Sequence, residues 1–187
     1  MTEHQEYYEY LQNRSRLALF YRKHWLYPRL NKALHGRVLD MGCGVGDMLA
    51  FRPNTIGVDI NPHTVEWCCS KGFDAHLMQE DVLPFDDQFF QGMILDNVLE
   101  HIKDPIPILS EAYRILDKEG ILIIGVPGEL GYSMDSDHKV FYSNEKLIET
   151  VTPIGFRVQR LFGMPINLAW LGSRIRQYCV YGIFQKA

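Results

Sequence analysis

What the 187-residue sequence lacks excludes several kinds of protein. Its four cysteines, Cys43, Cys68, Cys69 and Cys179, have no metal-finger spacing, and two are adjacent, which suits neither a disulfide framework nor a zinc site. Reduced thiols in a cytoplasmic protein are the plain expectation. No apolar run approaches the roughly 20 residues that a membrane span needs. The polar, acidic start MTEHQEYYEY does not read as a secretory signal. There is no internal repeat, low-complexity tract or evident linker, and no G-x-x-x-x-G-K-[ST] phosphate loop. What remains is ordinary for one globular domain over 1–187, with 47% hydrophobic and 22% charged residues.

Acidic residues are missing from two long stretches, between Tyr10 and Leu39 and after Glu149. The net charge of −4 therefore hides −13 over Asp40–Glu149 and +9 over the flanks. Two explanations stand side by side: basic flanks that pack over an acidic core, or flanks that converge on an anionic substrate.

Residues 7 to about 34 place Tyr7, Tyr10, Leu11, Leu17, Tyr21 and Trp25 at spacings of three and four, which predicts one or two amphipathic helices. From Val38 onward short apolar runs alternate with helical stretches. Strands are expected at 37–41, 55–60, 73–78, 92–96, 121–126, 156–161 and 177–185. The clearest helix has Asp104 as its cap, Pro105 in its first turn and Gly120 as its stop. Another is expected from a Ser143 cap to about Val151. This alternation predicts a doubly wound, Rossmann-like α/β domain, a mostly parallel sheet with helices on both faces. A helical cap (1–36) precedes the core (37–187). Any ligand site belongs at the carboxyl ends of the strands.

Three segments carry chemistry. In Asp40-Met41-Gly42-Cys43-Gly44-Val45-Gly46, a strand delivers Asp40 to a turn of alternate glycines, where a ligand can approach without a Cβ in the way. A dinucleotide fingerprint wants a small residue at position 47. Asp47 and Asp40 would instead set two carboxylates beside a diphosphate. S-adenosylmethionine has no phosphate and carries an ammonium and a sulfonium, so it suits this acidic turn better than NAD or ATP. Asp59, ending the second strand 19 residues after Asp40, can accept from both ribose hydroxyls. Asp81 can accept from the adenine amino group, with Val82 as an apolar wall.

In these segments the sequence closely resembles the class I S-adenosylmethionine-dependent methyltransferases of the small-molecule, type 11-like branch, from about Arg37 to Val126. Leu95–Ile102 (LDNVLEHI) resembles that family's stretch bordering methionine and substrate. The resemblance implies a seven-stranded sheet with its last strand antiparallel. It implies a cofactor site of Asp40, Gly42, Cys43, Gly44, Gly46, Asp59, Ile60, Asp81, Val82, Asp96 and Asn97, with S-adenosylhomocysteine as product. One departure is Phe90-Gln91, where family members often have Phe-Asp.

The implied activity is methyl transfer to oxygen or nitrogen of a small acceptor, anionic or sugar-like. His101 is the first candidate base, and His138, in the loop after the fifth strand, the second. Either could equally be a residue that only shapes the pocket. No set of oxygen ligands for magnesium accompanies Asp96 and Asn97, so no metal is expected. The competing readings are a catalytically silent cofactor-binding partner and a nucleic-acid methyltransferase. The latter is disfavoured because Asp96-Asn97-Val98-Leu99 is not the Asn/Asp-Pro-Pro-aromatic sequence of base-amine methylation.

Overall fold

A computed structural model describes residues 3–187. The side chains of Tyr7 and Tyr10, expected on the apolar face of the first helix, lie outside the described residues. Alternation along the strands sets up two cores. On one face of the sheet, Leu39, Met93, Leu95, Leu122 and Ile124 pack with α6 (Ile106–Ile115) and α8 (Asn144–Val151). The residues between them, Val38, Ile94 and Ile123, point to the other face. There they meet Leu26, Tyr27, Leu30 and Leu34 of the N-terminal cap. Successive residues serving opposite cores is the period-2 geometry of a strand covered on both sides.

The sheet has seven strands in the order β3-β2-β1-β4-β5-β7-β6. They are β1 (Val38–Met41), β2 (Thr55–Asp59), β3 (Ala75–Leu77), β4 (Phe90–Asp96), β5 (Leu116–Pro127), β6 (Phe156–Met164) and β7 (Cys179–Lys186). The first five are parallel, while β7 runs antiparallel to both β5 and β6. Strand order reverses between β1 and β4, so the crevice for a ligand opens at their carboxyl ends.

Seven strands with an antiparallel last one are as expected, but two details of one helix are not. The helix after Pro105 does not stop at Gly120. It ends at Ile115, because Leu116 is fully buried and pairs with Phe90, which draws 116–120 into β5. The N-cap of that helix is Pro105 and not Asp104, which sits one residue earlier and accepts from the Ile106 amide at 3.2 Å. Ser143 likewise accepts from Lys146 N at 3.2 Å.

The cap comprises α1 (Glu3–Gln12), α2 (Arg16–Tyr21), a π-helical turn (Arg22–Leu26) and α3 (Tyr27–Asn31). Its last two parts form the second core, whereas α1 crosses to the ligand edge. The helices α4 (Asp47–Phe51), α5 (Pro62–Ser70) and α7 (Glu129–Ser133) complete the set. Among the described residues, no helix is long and apolar enough to cross a membrane.

Candidate functional site

The turn after β1 is shaped by its glycines. Gly42, Gly44 and Gly46 have φ of +71°, +53° and +81°, values that side-chain-bearing residues rarely adopt. At Gly44 the constraint is also steric, since a Cβ there would stand 3.0 Å from Leu11 of α1. The turn is tied to β2 by Asp59. One carboxylate oxygen accepts from Gly44 N and the other from Asn61 N, both at 2.9 Å. Each oxygen retains a second lone pair for a ligand hydroxyl. Burial raises the Asp59 pKa, and the bonds from Asn61, Gly44 and Thr64 oppose that shift.

Asp40 is different. It is only 6% exposed, and its carboxyl makes no hydrogen bond among the described residues. Burial, then the neighbouring Asp96 carboxylate, pushes its pKa up to about 8. Past Asp59 and Asp81, Ile60 and Val82 stand 48% and 53% exposed on the loops after β2 and β3. Large apolar side chains exposed on adjoining loops are what a flat heterocycle needs for its faces. The exposed Asp81 lies between them in sequence beside a bridge joining Gln79 and Val82.

These features put a buried acid and a second carboxylate with spare acceptor capacity around the glycine turn, at the carboxyl ends of β1 and β2. Residues 39–124 match the family model of a methyltransferase domain. Over that segment the chain resembles the class I S-adenosylmethionine-dependent methyltransferases.

An uncharacterized protein of Methanocaldococcus jannaschii is 29% identical over 65% of this chain. A probable S-adenosylmethionine-dependent methyltransferase of Mycolicibacterium smegmatis is 27% identical over 78% of it. The chain spans 65% and 62% of the length of those two relatives. A Thermotoga maritima methyltransferase, described as a possible histamine N-methyltransferase, superposes with a TM-score of 0.74 at 22% identity, covering 98% of this chain and 99% of that one.

The family's cofactor is S-adenosylmethionine, and the residues fit it. The unpartnered Asp40 suits the α-ammonium, the glycine turn leaves room for the methionine backbone, and Asp59 suits the ribose. Asp40 gives a testable pH dependence. Its raised pKa means that ionised Asp40 costs folding stability, a cost that grows as pH rises from about 4 towards 8. A cation bound beside it reverses the preference. Cofactor binding at pH 7 is therefore expected to release a proton, and affinity is expected to climb between pH 6 and 8. Calorimetry in buffers of different ionisation enthalpy would measure the release. Asp40→Asn should abolish this proton's contribution, and an unchanged release in that variant would assign the proton to another group.

The methionine end of the site holds partners that the sequence did not announce. Asp96 accepts from Tyr181 Oη of β7 at 2.7 Å and from Asn97 Nδ2 at 3.0 Å, and it pairs with Arg22 of the cap. Asn97 has a φ of +59° and accepts from the Cys179 thiol at 3.5 Å. Arg14 pairs with Asp47 at 2.9 Å. Two arginines of the basic N-terminal flank are thus committed to acids of the core, so this part of the charge asymmetry reflects packing. The cap also lies on the cofactor turn through Leu11, and Asn61 Nδ2 donates to His4 O at 2.8 Å.

In the turn after β4 and the loop after β5, His101 and His138 come together, with ring centroids 4.8 Å apart. His101 Nδ1 is 3.2 Å from Asp137 Oδ2, and His138 Nδ1 is 2.9 Å from Tyr132 O. Between them sits Glu100, 1% exposed, with burial raising its pKa to about 8. Sequence reasoning passed over Glu100. The available signal was an acid inside the apolar turn Val98-Leu99-Glu100, directly before a histidine.

A surface hollow of about 660 Å³, lined by Arg37, Arg52, Thr55 and Asp74, lies at the opposite, amino-terminal edge of β1 and β2. It is remote from every residue above, and strand topology places the chemistry at the other edge.

Proposed function

We propose that the chain transfers a methyl group from S-adenosylmethionine to an oxygen or nitrogen of a small acceptor. The observation that carries this reading is the buried, unpartnered Asp40 next to a left-handed glycine turn clasped by Asp59. When bound, the cofactor supplies an electrophilic methyl group on sulfur. The chain's own task is then to hold an acceptor lone pair in line and exclude water, which can contribute on the order of 7–11 kcal/mol.

The acceptor is placed beside Glu100, His101 and His138, the cluster adjoining the methionine end of the site. Asp137 holds His101 Nδ1, which leaves His101 Nε2 to take the proton that a hydroxyl acceptor loses. His138 serves the same side, with its ring stacked on Tyr132 at 5.4 Å. His101→Ala is expected to lower kcat by roughly 10²–10⁴-fold, the usual range for a lost general base, while cofactor affinity changes little. Steady-state kinetics beside calorimetry would check this, and unchanged turnover would remove His101 from the acceptor side.

The acceptor class we favour is anionic or sugar-like. Arg16 and Lys23 of the cap are exposed, while Arg14 and Arg22 are already paired within the chain. The deciding experiment is calorimetric titration with S-adenosylmethionine and S-adenosylhomocysteine, using NAD and ATP as controls. A labelled-methyl screen starting with anionic sugars would follow. Absence of binding by freshly purified, ligand-free protein would overturn the proposal.

A further inference from the structure

With a neutral imidazole, His138 turns a nitrogen lone pair toward the Glu100 carboxylate, an arrangement that a cation between them would relieve. The His138 Nδ1 points at the Tyr132 carbonyl, which can only accept, so Nδ1 carries the proton and Nε2 presents a lone pair. That lone pair stands 3.9 Å from Glu100 Oε1 and 3.8 Å from Asp135 Oδ2, both too long for a hydrogen bond. Both Glu100 carboxylate oxygens are buried without any hydrogen-bond partner. An unpaired buried carboxylate costs several kcal/mol, a cost that native structures seldom leave uncompensated. His101 completes the arrangement. Its Nδ1 is held by the Asp137 carboxylate, leaving Nε2 available.

We infer that Glu100, His101 and His138 form a binding site for a divalent transition-metal cation, of the zinc, manganese, iron or cobalt kind. Each residue offers one ligand atom, and these atoms lie within 4.8 Å of one another. Four-coordinate ions with bonds of about 2.0–2.1 Å hold their ligand atoms about 3.3 Å apart. The ligand atoms would have to close by up to about 1.5 Å to reach that spacing. Two imidazoles with one carboxylate are the ligand chemistry of such cations rather than of magnesium, and three protein ligands leave positions open.

The surroundings are those of a built site. Each histidine has its second nitrogen fixed, one by a backbone carbonyl and one by a carboxylate, which sets the tautomer a cation requires. The main chain also locks the two halves together. Lys139 N and Val140 N donate to Glu100 O at 2.8 and 3.0 Å, tying the His138 loop to the Glu100 turn. The Tyr142 hydroxyl is buried without a hydrogen-bond partner among the described residues, and burial, then the Glu100 carboxylate, raises its pKa.

The expectation of metal independence considered only Asp96 and Asn97, which are not part of this cluster. Without a cation, His101 Nε2 is the base; a bound cation would occupy that lone pair and would itself lower the pKa of an acceptor hydroxyl at an open position, whose proton would pass to solvent. This role rests on the methyl-transfer reading, whereas cation binding does not.

The test begins with chelator-treated full-length protein. Titration with Co²⁺ should saturate at one ion per chain and give the visible d–d absorption of a nitrogen-ligated ion, and Zn²⁺ should displace it. Glu100→Gln, which removes the charge at constant shape, and His138→Ala should each weaken Co²⁺ binding at least 10-fold. Both should bind S-adenosylhomocysteine as the parent does, which shows that they are folded. No saturable Co²⁺ or Zn²⁺ binding by the parent, or equal binding by both variants, would overturn the inference. Cation binding without S-adenosylhomocysteine binding would instead sink the methyl-transfer reading and leave the metal site standing.

Discussion

Asp59→Ala is expected to weaken S-adenosylhomocysteine binding by about 10²–10⁴-fold. The carboxylate faces two tasks. Toward the ligand, it offers charged acceptors to two ribose hydroxyls, and hydrogen bonds to a charged group contribute about 1.5–3 kcal/mol each. Within the protein it holds Gly44 N and Asn61 N, on the turns after β1 and β2. Alanine leaves both amides without their acceptor, so the glycine turn loses the anchor that fixes its left-handed course. Orphaned amides cost about 1–3 kcal/mol, but deleting a carboxylate whose burial is itself unfavourable recovers part of that. Thermal unfolding should therefore show a modest loss of stability beside the large loss of affinity. Asp59→Asn keeps one acceptor oxygen and should fall between alanine and the parent. Full affinity in the alanine variant would place the ribose elsewhere.

Arg22→Met should have the largest effect on stability, about 3–5 kcal/mol. The guanidinium pairs with Asp96, whose side chain is 7% exposed, and also donates to Tyr27 Oη at 2.9 Å. Removing one partner of a buried pair leaves the other charge uncompensated, which costs far more than the intact pair contributes. The cost is sharper here because the Asp96 charge already bears on buried Asp40. Urea unfolding of Arg22→Met, Asp96→Asn and the double variant forms the appropriate cycle. The double variant is expected to recover much of the loss. Additive losses would mean that Arg22 acts through cap packing rather than through Asp96.

Local pattern made most of the strands and the carboxyl-edge site readable. Val38–Met41, Thr55–Asp59 and Phe90–Asp96 are short, apolar and bounded by turn residues, so their side-chain period and their ends appear in sequence. Gly120 misled for a physical reason. Glycine is a common helix stop, yet the sheet captured Leu116 first, and pairing with Phe90 is a tertiary event with no local mark. The same limit hid the partners of Asp96, which lie 74 and 85 residues away. Reading Gln177–Gln185 as a strand was sound. Which face Tyr181 presents depends on β7 entering antiparallel between β5 and β6, and that order is invisible in a one-dimensional pattern. Glu100 escaped notice because an unpaired carboxylate becomes conspicuous only once its burial is known.

The junction at Asp96 also governs when the site can exist. Arg22 reaches it from 74 residues before and Tyr181 from 85 residues after. During synthesis, every residue of the glycine turn and of β1 to β5 leaves the ribosome long before Tyr181 does. A nascent chain can thus form the parallel half of the sheet with Asp96 held from one side only. Asp96 therefore gains its full set of partners only once β7 has been made, 85 residues further along the chain.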